Sequence, residues 1–483
     1  MQKNKSVKIN LIYNTAYQLL AIAIPLITTP YLSRVLGAEK IGVYSYSYSI
    51  AYYFAMFILL GLNNYGNRSI AAIKDSKLEL SKVFFSIYLM QLTSSVVVII
   101  AYVLYAVSFS NNAMTWILLI YVISAGFDIN WFFFGLEEFR LTVIRNTVIK
   151  IATTAAIFIC VKSPNDIELY GIIMVMGLLL SQLIMWPFVP KYTVFVKPSL
   201  NEVIKHIKPN LILFIPVIAV SLYKMMDKIM LGLMSDMKQV GFYENTEKIV
   251  QVPMVLVNSL GTVMLPKTAN LLARNEETIA RKYLKQSIII AMILASSICF
   301  GIMAVAPLFV PWFYGTGYEQ CIVLFQILMP SCIFLAFANV IRTQYLIPRK
   351  KDTIYIKSVL LGAIVNFTIN FILIRYLASS GAAVGTLFAE AAVCVYQAYS
   401  VRNEMPINSY IKMTTPFIFF GAIMYMIVLL VPSPFYHTIF NMIFKVLIGV
   451  AVFSVELLIY GTVFYRGYID YILNKLINKK GKD

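Results

Sequence analysis

Apolar runs of about twenty residues, each long enough to cross a bilayer's hydrocarbon core as a helix, recur along the whole of this chain. Only short charged stretches break them. That pattern leaves few folds open. In lipid every backbone N–H and C=O must be bonded within the protein, and a spanning segment of this length achieves that as a helix. The balance of residues excludes an ordinary soluble domain: 60% are hydrophobic and 13% charged, against roughly 25% charged in soluble domains. Mean hydropathy is +0.78. The expectation is an all-α integral membrane protein. Setting apolar runs against charged breaks gives fourteen helices, near 9–36, 41–73, 82–107, 114–136, 142–161, 167–190, 207–233, 239–271, 282–306, 319–347, 353–376, 381–400, 411–431 and 437–465. Runs longer than the bilayer requires must tilt, kink or extend beyond it.

A net charge of +18 raises the question of nucleic acid, but the basic residues are distributed as membrane topology demands. They gather at Lys3, Lys5 and Lys8, at Lys74, Lys77 and Lys82, and at Arg140, Arg145 and Lys150. They recur at Lys191–Lys208, at Arg274–Lys285, at Arg349–Lys357 and in the tail at Lys475, Lys479, Lys480 and Lys482. The alternating loops hold almost none. By the positive-inside rule both termini are cytoplasmic, which fourteen crossings satisfy. No nucleic-acid partner is implied. The first helix, too long for a signal-peptide core, is expected to stay as an anchor. Five dispersed cysteines, Cys160, Cys299, Cys321, Cys332 and Cys394, form neither a disulfide framework nor a metal motif. The external connections are short, the longest from about Ala306 to Glu319, so no extramembrane catalytic domain is expected.

An internal repeat organises the spans. Ile24-Pro25 precedes Arg34, then Gly37, then Ile41-Gly42-Val43-Tyr44. Further along the chain Ile215-Pro216 precedes Lys224, then Gly232, then Val240-Gly241-Phe242-Tyr243. Gly61 and Gly261 follow at matching distances, and Arg68 and Lys267 close the second helix of each set. Six crossings separate the copies, so they are parallel repeats. The expected partition is a six-helix bundle at 1–200, a second at 201–408, and two extra helices with a basic tail at 409–483.

Enzyme motifs are missing: there is no GxxxxGK[ST], and His206 and His437, expected in loops on opposite faces, cannot be joined in a metal or nucleophile constellation. No cofactor and no catalytic residue is expected. What stands out instead is charge at membrane depth, which is costly and normally faces a protein interior or a wet cavity. The basic candidates are Arg34, Arg68, Lys224, Lys228, Lys248, Lys267 and Arg342, with Lys445 further on; Asp227, Glu244, Glu247, Glu390 and Glu456 are the acidic ones. Several have an ordinary origin open to them. Arg68, Lys267 and Arg342 can snorkel to headgroups, and Lys224–Asp227 and Glu244–Lys248 have the spacing of intrahelical ion pairs. Taken together, basic groups recur at matched places of both halves, Arg34 with Lys224 or Lys228 and Arg68 with Lys267. A two-level cationic cavity of this kind suits an anionic substrate with a large polar head. Asp227 and Glu244 are candidates for ion coupling or for charge partners. Tyr44, Tyr46, Tyr48 and Tyr52 crowd one helix but cannot all share a face of it.

The stretches PLITTPYLSRVLGAEKIGVYSYSYSIAYYF (25–54), GLNNYGNRSIA (61–71) and DINWFFFGLEEFRLTVIRN (128–146) resemble the bacterial Wzx-type oligosaccharide flippases. These are polysaccharide transporters of the superfamily that holds the MATE drug exporters and the lipid II flippase MurJ. The resemblance implies a MATE-like bundle in the bacterial plasma membrane. Its cargo would be undecaprenyl-pyrophosphate-linked oligosaccharide repeat units, moved from the cytoplasmic to the outer leaflet by alternating access for capsule or O-antigen-type polysaccharide. Implied partners are that lipid-linked sugar, membrane lipids and the polysaccharide polymerase machinery. The lipid tail would lie along a portal near the last two helices, beside Lys445 and Glu456. A MATE-like exporter of organic cations would instead want an acidic cavity. A flippase for lipid II or a teichoic-acid precursor would differ only in cargo.

Overall fold

The computed structural model describes residues 20, 22–110 and 112–464, apart from the side chains at 223, 224 and 464. Among the described residues there is no strand. Helix α1 occupies 22–35. Then come α2 (Gly37–Ile73), α3 (Lys77–Phe109), α4 (Ala113–Gly135), α5 (Phe139–Cys160) and α6 (Pro164–Tyr192), followed by α7 (Leu200–Met234). Next are α8 (Met237–Ala273), α9 (Glu277–Tyr314), α10 (Gln320–Leu346), α11 (Asp352–Leu377), α12 (Ser379–Ser400) and α13 (Ile407–Leu430). The series closes with α14 (Thr438–Phe464). Thirteen of these are long and apolar enough to cross a bilayer. The other is α1, whose expected start near residue 9 lies outside the described residues, as do the basic N-terminus and the tail lysines.

Three expectations need correction. The chain enters α7 at Leu200, not near 207, because Ser199 and Glu202 form a capping box: Ser199 Oγ accepts from the Glu202 N–H at 3.3 Å, and Glu202 Oε2 from the Ser199 N–H at 2.9 Å. His206 therefore lies within a helix, where its Nδ1 is 2.6 Å from the Tyr65 hydroxyl. The third concerns α9, which continues through Pro307 and Pro311 to Tyr314 and stops only at Gly315, whose φ of 95° no other residue adopts cheaply. The expected long connection from Ala306 to Glu319 shrinks accordingly.

The helices group into two compact units, residues 1–245 with 366–382 and residues 246–365 with 383–483. In the first unit α2 runs antiparallel to α7, as the order of their contacts requires. Gly232 lies under the Tyr46 ring, the Tyr53 hydroxyl donates to the Ser221 carbonyl at 3.1 Å, and Phe57 meets Phe214 edge-on at 5.3 Å. Gly61 then lies against the Asn210 carbonyl, where a Cβ would sit 2.5 Å from the oxygen. Leu60, at φ 51°, breaks α2 just before that approach. Asp236 caps α8 by accepting from the Gln239 N–H at 2.9 Å, and the first turn of α8 meets the first turn of α2 backbone to backbone. A Cβ on Gly42 would fall 1.7 Å from the Met237 carbonyl oxygen, and one on Gly241 1.9 Å from that of Ala38. The contact is reciprocal.

Packing in this unit has two centres. One joins α1, α2, α4 and α6 through Leu32, Ile58, Leu118, Val122 and Val175. The other joins the ends of α2 and α4 and the start of α3 through Ile70, Phe84, Trp131 and Phe132. In the latter a Cβ on Gly66 would strike the Trp131 ring at 2.6 Å and one on Gly135 would strike Ile70 at 2.6 Å. The second and third quoted stretches thus pack on each other. In the second unit Ala304, Met424, Val428 and Phe453 tie α9, α13 and α14 together. Outward faces are apolar, with Val97, Val107, Ile159 and Leu430 exposed, as expected when lipid is the solvent.

Adding one methyl at the reciprocal contact overpacks backbone against backbone. Gly42→Ala and Gly241→Ala are each expected to cost about 1–3 kcal/mol. Gly301→Ala, whose new Cβ would have nothing nearer than 3.9 Å, is expected to be neutral or stabilising. Thermal unfolding of the detergent-solubilised protein checks this; equal midpoints for all three variants would contradict the contact.

Candidate functional site

The three central charges of α7 and α8 share one buried polar core in the first unit. Asp227 (3% exposed) and Lys228 (8%) lie on α7, two turns before the helix ends, and Glu244 lies two turns into α8. Lys228 Nζ is 2.6 Å from Glu244 Oε2, and the Ser45 hydroxyl of α2 donates to the same oxygen at 2.9 Å. Asp227 accepts from the Tyr243 hydroxyl at 2.5 Å on Oδ2 and from Asn370 Nδ2 of α11 at 2.5 Å on Oδ1. Asn370 Nδ2 also donates to Asn366 Oδ1 at 3.2 Å. Lys228 and Glu244 thus neutralise each other in a charge-assisted pair, the form in which buried charges are tolerated.

The close contact of α2 with α8 puts this core where it is. Gly42 and Gly241 occupy equivalent places, and so do Ser45 and Glu244 three residues later. Because the glycines let the two helices touch, the equivalent side chains one turn on come within hydrogen-bonding distance. A serine on one helix thus meets a glutamate on the other. Tyr44, Tyr48 and Tyr52 follow one another up one face of α2, with Tyr44 and Tyr48 stacked at 5.9 Å and Tyr121 and Tyr170 packed beside them. Tyr46 points elsewhere, onto Gly232, as helical periodicity requires.

The other singled-out residues lie as follows. Arg34 is exposed on α1, its Nη1 3.3 Å from the Pro30 carbonyl, and Arg68 is exposed near the end of α2. The backbone of Lys224 is helical, but its side chain lies outside the described residues. Lys248, Lys267, Arg342, Lys445 and Glu456 belong to the second unit. Lys248 and Arg342 are half-buried and Lys267 is exposed. Lys267 Nζ sits 3.7 Å over the Tyr283 ring and Arg342 5.5 Å over Tyr355. Lys445 and Glu456 are half-buried on α14, and Glu456 Oε2 has no hydrogen-bond partner among the described residues. Asp227, Lys228 and Glu244 are thus brought together; Arg68, in the same unit, has no ion pair with them among the described residues.

Sequence reasoning missed several buried polar groups of this unit. Asn366 and Asn370, four apart in an apolar run, were readable as two polar groups on one helix face. Arg145 was counted with the loop charges, yet it is 6% exposed. Its Nη2 donates to Asn130 Oδ1 at 2.9 Å and to Asn146 Oδ1 at 2.7 Å. Its role is to join α4 and α5.

Comparison with known proteins bears on this arrangement. The family described as "Polysaccharide biosynthesis protein" matches residues 7–272. A relative from Escherichia coli strain K12, described as "Putative O-antigen transporter", is 23% identical over 415 residues, covering 84% of this chain and 99% of the relative. One with the same description from Shigella dysenteriae is 23% identical over 385 residues, covering 78% and 96%. Among solved structures, lipid II flippase MurJ in an inward closed conformation superposes with a TM-score of 0.73 at 15% identity, covering 95% of this chain and 100% of that one. An inward-facing multidrug resistance MATE transporter of the MOP superfamily gives 0.57 at 14% identity, covering 81% and 99%. These structural likenesses establish a shared fold.

The Lys228–Glu244 pair makes a direct prediction. Removing one partner takes a charge-assisted bond from the other, so Lys228→Ala and Glu244→Ala are each expected to cost about 1.5–3 kcal/mol, and the Lys228→Ala/Glu244→Ala double variant less than their sum. Unfolding midpoints of the two single Ala variants and of the double Ala variant test it; a double variant that loses the sum of both effects would show that the pair carries no coupling.

Proposed function

The chain belongs to the polysaccharide biosynthesis protein family, and on that premise we propose that it is a flippase carrying lipid-linked oligosaccharide repeat units from the cytoplasmic to the outer leaflet of a bacterial plasma membrane. The observation that carries the reading is the match along 99% of a relative described as an O-antigen transporter. The MurJ-like fold and the wealth of membrane-depth cations support it. The cargo would be a polyprenyl-pyrophosphate-linked sugar for capsule or O-antigen-type polysaccharide, handed to the polymerase machinery outside. Nothing in this reading calls for bond chemistry by the chain itself.

In the proposed cycle the protein alternates between inward-open and outward-open states, with both termini cytoplasmic. The partition into repeats 1–200 and 201–408, with extra helices at 409–483, belongs to the same proposal. Arg34, Arg68, Lys224, Lys228, Lys248, Lys267 and Arg342 are the candidate cations for the pyrophosphate-sugar head, and the region of Lys445 and Glu456 is the candidate portal for the tail. Lys228 has a partner-exchange role here. In the described state Glu244 holds it at 2.6 Å, and a pyrophosphate offering more charge would compete for the same ammonium. Release then requires only that the two states differ in affinity. Asp227 and Glu244 are the groups through which an ion gradient would act. The Asn370 Oδ1 oxygen, buried without a partner among the described residues, leaves acceptor capacity on Asp227's neighbour.

Deletion of the gene followed by lipid analysis tests the reading. Accumulation of polyprenyl-linked oligosaccharide on the cytoplasmic leaflet, reversed by the intact gene, is the expected result. Arg34→Ala and Lys224→Ala are expected to fail in that complementation while reaching the membrane at normal levels. Altered drug sensitivity with unchanged lipid-linked sugars would favour an organic-cation exporter, and full complementation by both variants would remove the cationic cavity from the account.

A further inference from the structure

In the second unit α10 does not end as an ordinary α-helix. Its last turn, Arg342–Leu346, widens to a π-helix, a distortion that costs hydrogen-bond geometry and is often kept for function. The widened turn carries Gln344 inward, 0% exposed, and neither its Oε1 nor its Nε2 has a hydrogen-bond partner among the described residues. An unpaired buried amide is unfavourable. Gln344 lines a narrow recess of about 10 Å³, the room of a single water molecule, together with Arg281, Tyr345, Arg349 and Tyr410.

The recess is rich in donors and short of acceptors. Arg281 donates Nη2 and Nε to Glu277 Oε1 at 3.0 and 3.2 Å, and Arg349 donates Nη2 to the same oxygen at 3.2 Å. Two guanidinium groups therefore share one carboxylate oxygen, and most of their N–H groups are unused by it. The Tyr410 hydroxyl makes no hydrogen bond among the described residues. Glu404 does not relieve the imbalance, because it is occupied by Lys351 and the Tyr345 hydroxyl. Lys351, and then Tyr345, hold its carboxyl below the usual carboxylate range, so it stays an acceptor for them. All of these groups sit at helix ends: the start of α9, the end of α10 and the start of α13. Headgroups of a bilayer lie at that level, and basic recesses between spanning helices there recognise anionic headgroups.

We infer that this recess binds a phosphate ester, with Arg281 and Arg349 turning part of their donors from Glu277 to its oxygens and Gln344 Nε2 and the Tyr410 hydroxyl completing the shell. The site is separate from the cargo reading above and stands or falls without it. The recess is narrow, so binding draws the two arginines apart.

Two sources of such a phosphate, a membrane phospholipid or a soluble phosphate, are separated by one experiment. The full-length protein is placed in dodecyl maltoside micelles, which carry no phosphate, and its unfolding midpoint is followed as phosphatidylglycerol is added to the micelles or inorganic phosphate to the buffer. Expected is a saturable rise that Arg281→Gln or Arg349→Gln weakens about tenfold in apparent affinity, the loss of one charge-assisted bond. Exposed Arg274→Gln should leave it unchanged, controlling for general attraction by a basic protein. A rise with phosphatidylglycerol alone assigns the site to a lipid headgroup; the same variant-sensitive rise with inorganic phosphate assigns it to a soluble phosphate. Gln344→Leu keeps the test decisive if an arginine variant fails to fold: it should raise the midpoint of the unliganded protein and yet weaken the response to ligand. No rise with either probe, or a rise indifferent to Arg281, Arg349 and Gln344, would overturn the site.

Discussion

The first unit depends on a place where two helices touch without side chains between them. Gly42 and Gly241 let the opening turns of α2 and α8 approach so closely that a methyl group on either would overlap a carbonyl oxygen of the other helix. Below that contact α2 descends along α7, with Gly232 yielding to Tyr46 and Gly61 to Asn210. Glycine costs backbone entropy in a helix, and the cost is offset here by close packing that no larger residue permits. In a membrane, where burying apolar surface against another helix gains little over lipid, such small-residue contacts are the main source of helix association.

The glycine contact also decides where charge can be kept. One turn beyond it, Ser45 and Lys228 both reach Glu244, while Tyr243 and Asn370 reach Asp227. Four elements of one unit thus supply the partners for charges that bare lipid would exclude. A core of this kind is balanced rather than inert. A carboxylate held by a lysine and a hydroxyl can give up either to a competing anion, whereas an isolated charge at that depth would have to be neutralised or removed. This balance links the packing of the bundle to its proposed work on a pyrophosphate head.

Much of the fold was legible because bilayer physics simplifies it. Apolar length alone located the spans from α2 to α14, and the Gly42/Gly241 repeat pointed to two positions that turn out to touch. Boundaries were less legible where polar signals lie outside the apolar run: the Ser199–Glu202 box lengthened α7, and Pro307 and Pro311 did not stop α9. For the candidate site, Asp227, Lys228 and Glu244 were visible as charges in apolar surroundings. Their partners were not, since the pairing of Lys228 with Glu244 crosses from one helix to the next. Arg145 looked like a loop charge because its place in α5 is close to a basic cluster, and only packing against Asn130 reveals that it is buried. Gln344 could not be singled out at all, because nothing in RTQYL announces a π-turn.

Transport itself can be observed without a cell. The purified chain is reconstituted into vesicles whose polyprenyl-pyrophosphate-linked oligosaccharide starts in both leaflets, and the sugar open to an impermeant lectin is followed with time. The account predicts that vesicles containing the protein expose the inner-leaflet pool as well, and that Lys224→Ala protein exposes only the outer one. Exposure of the outer pool alone by the intact protein, with every ion gradient supplied in turn, would contradict it.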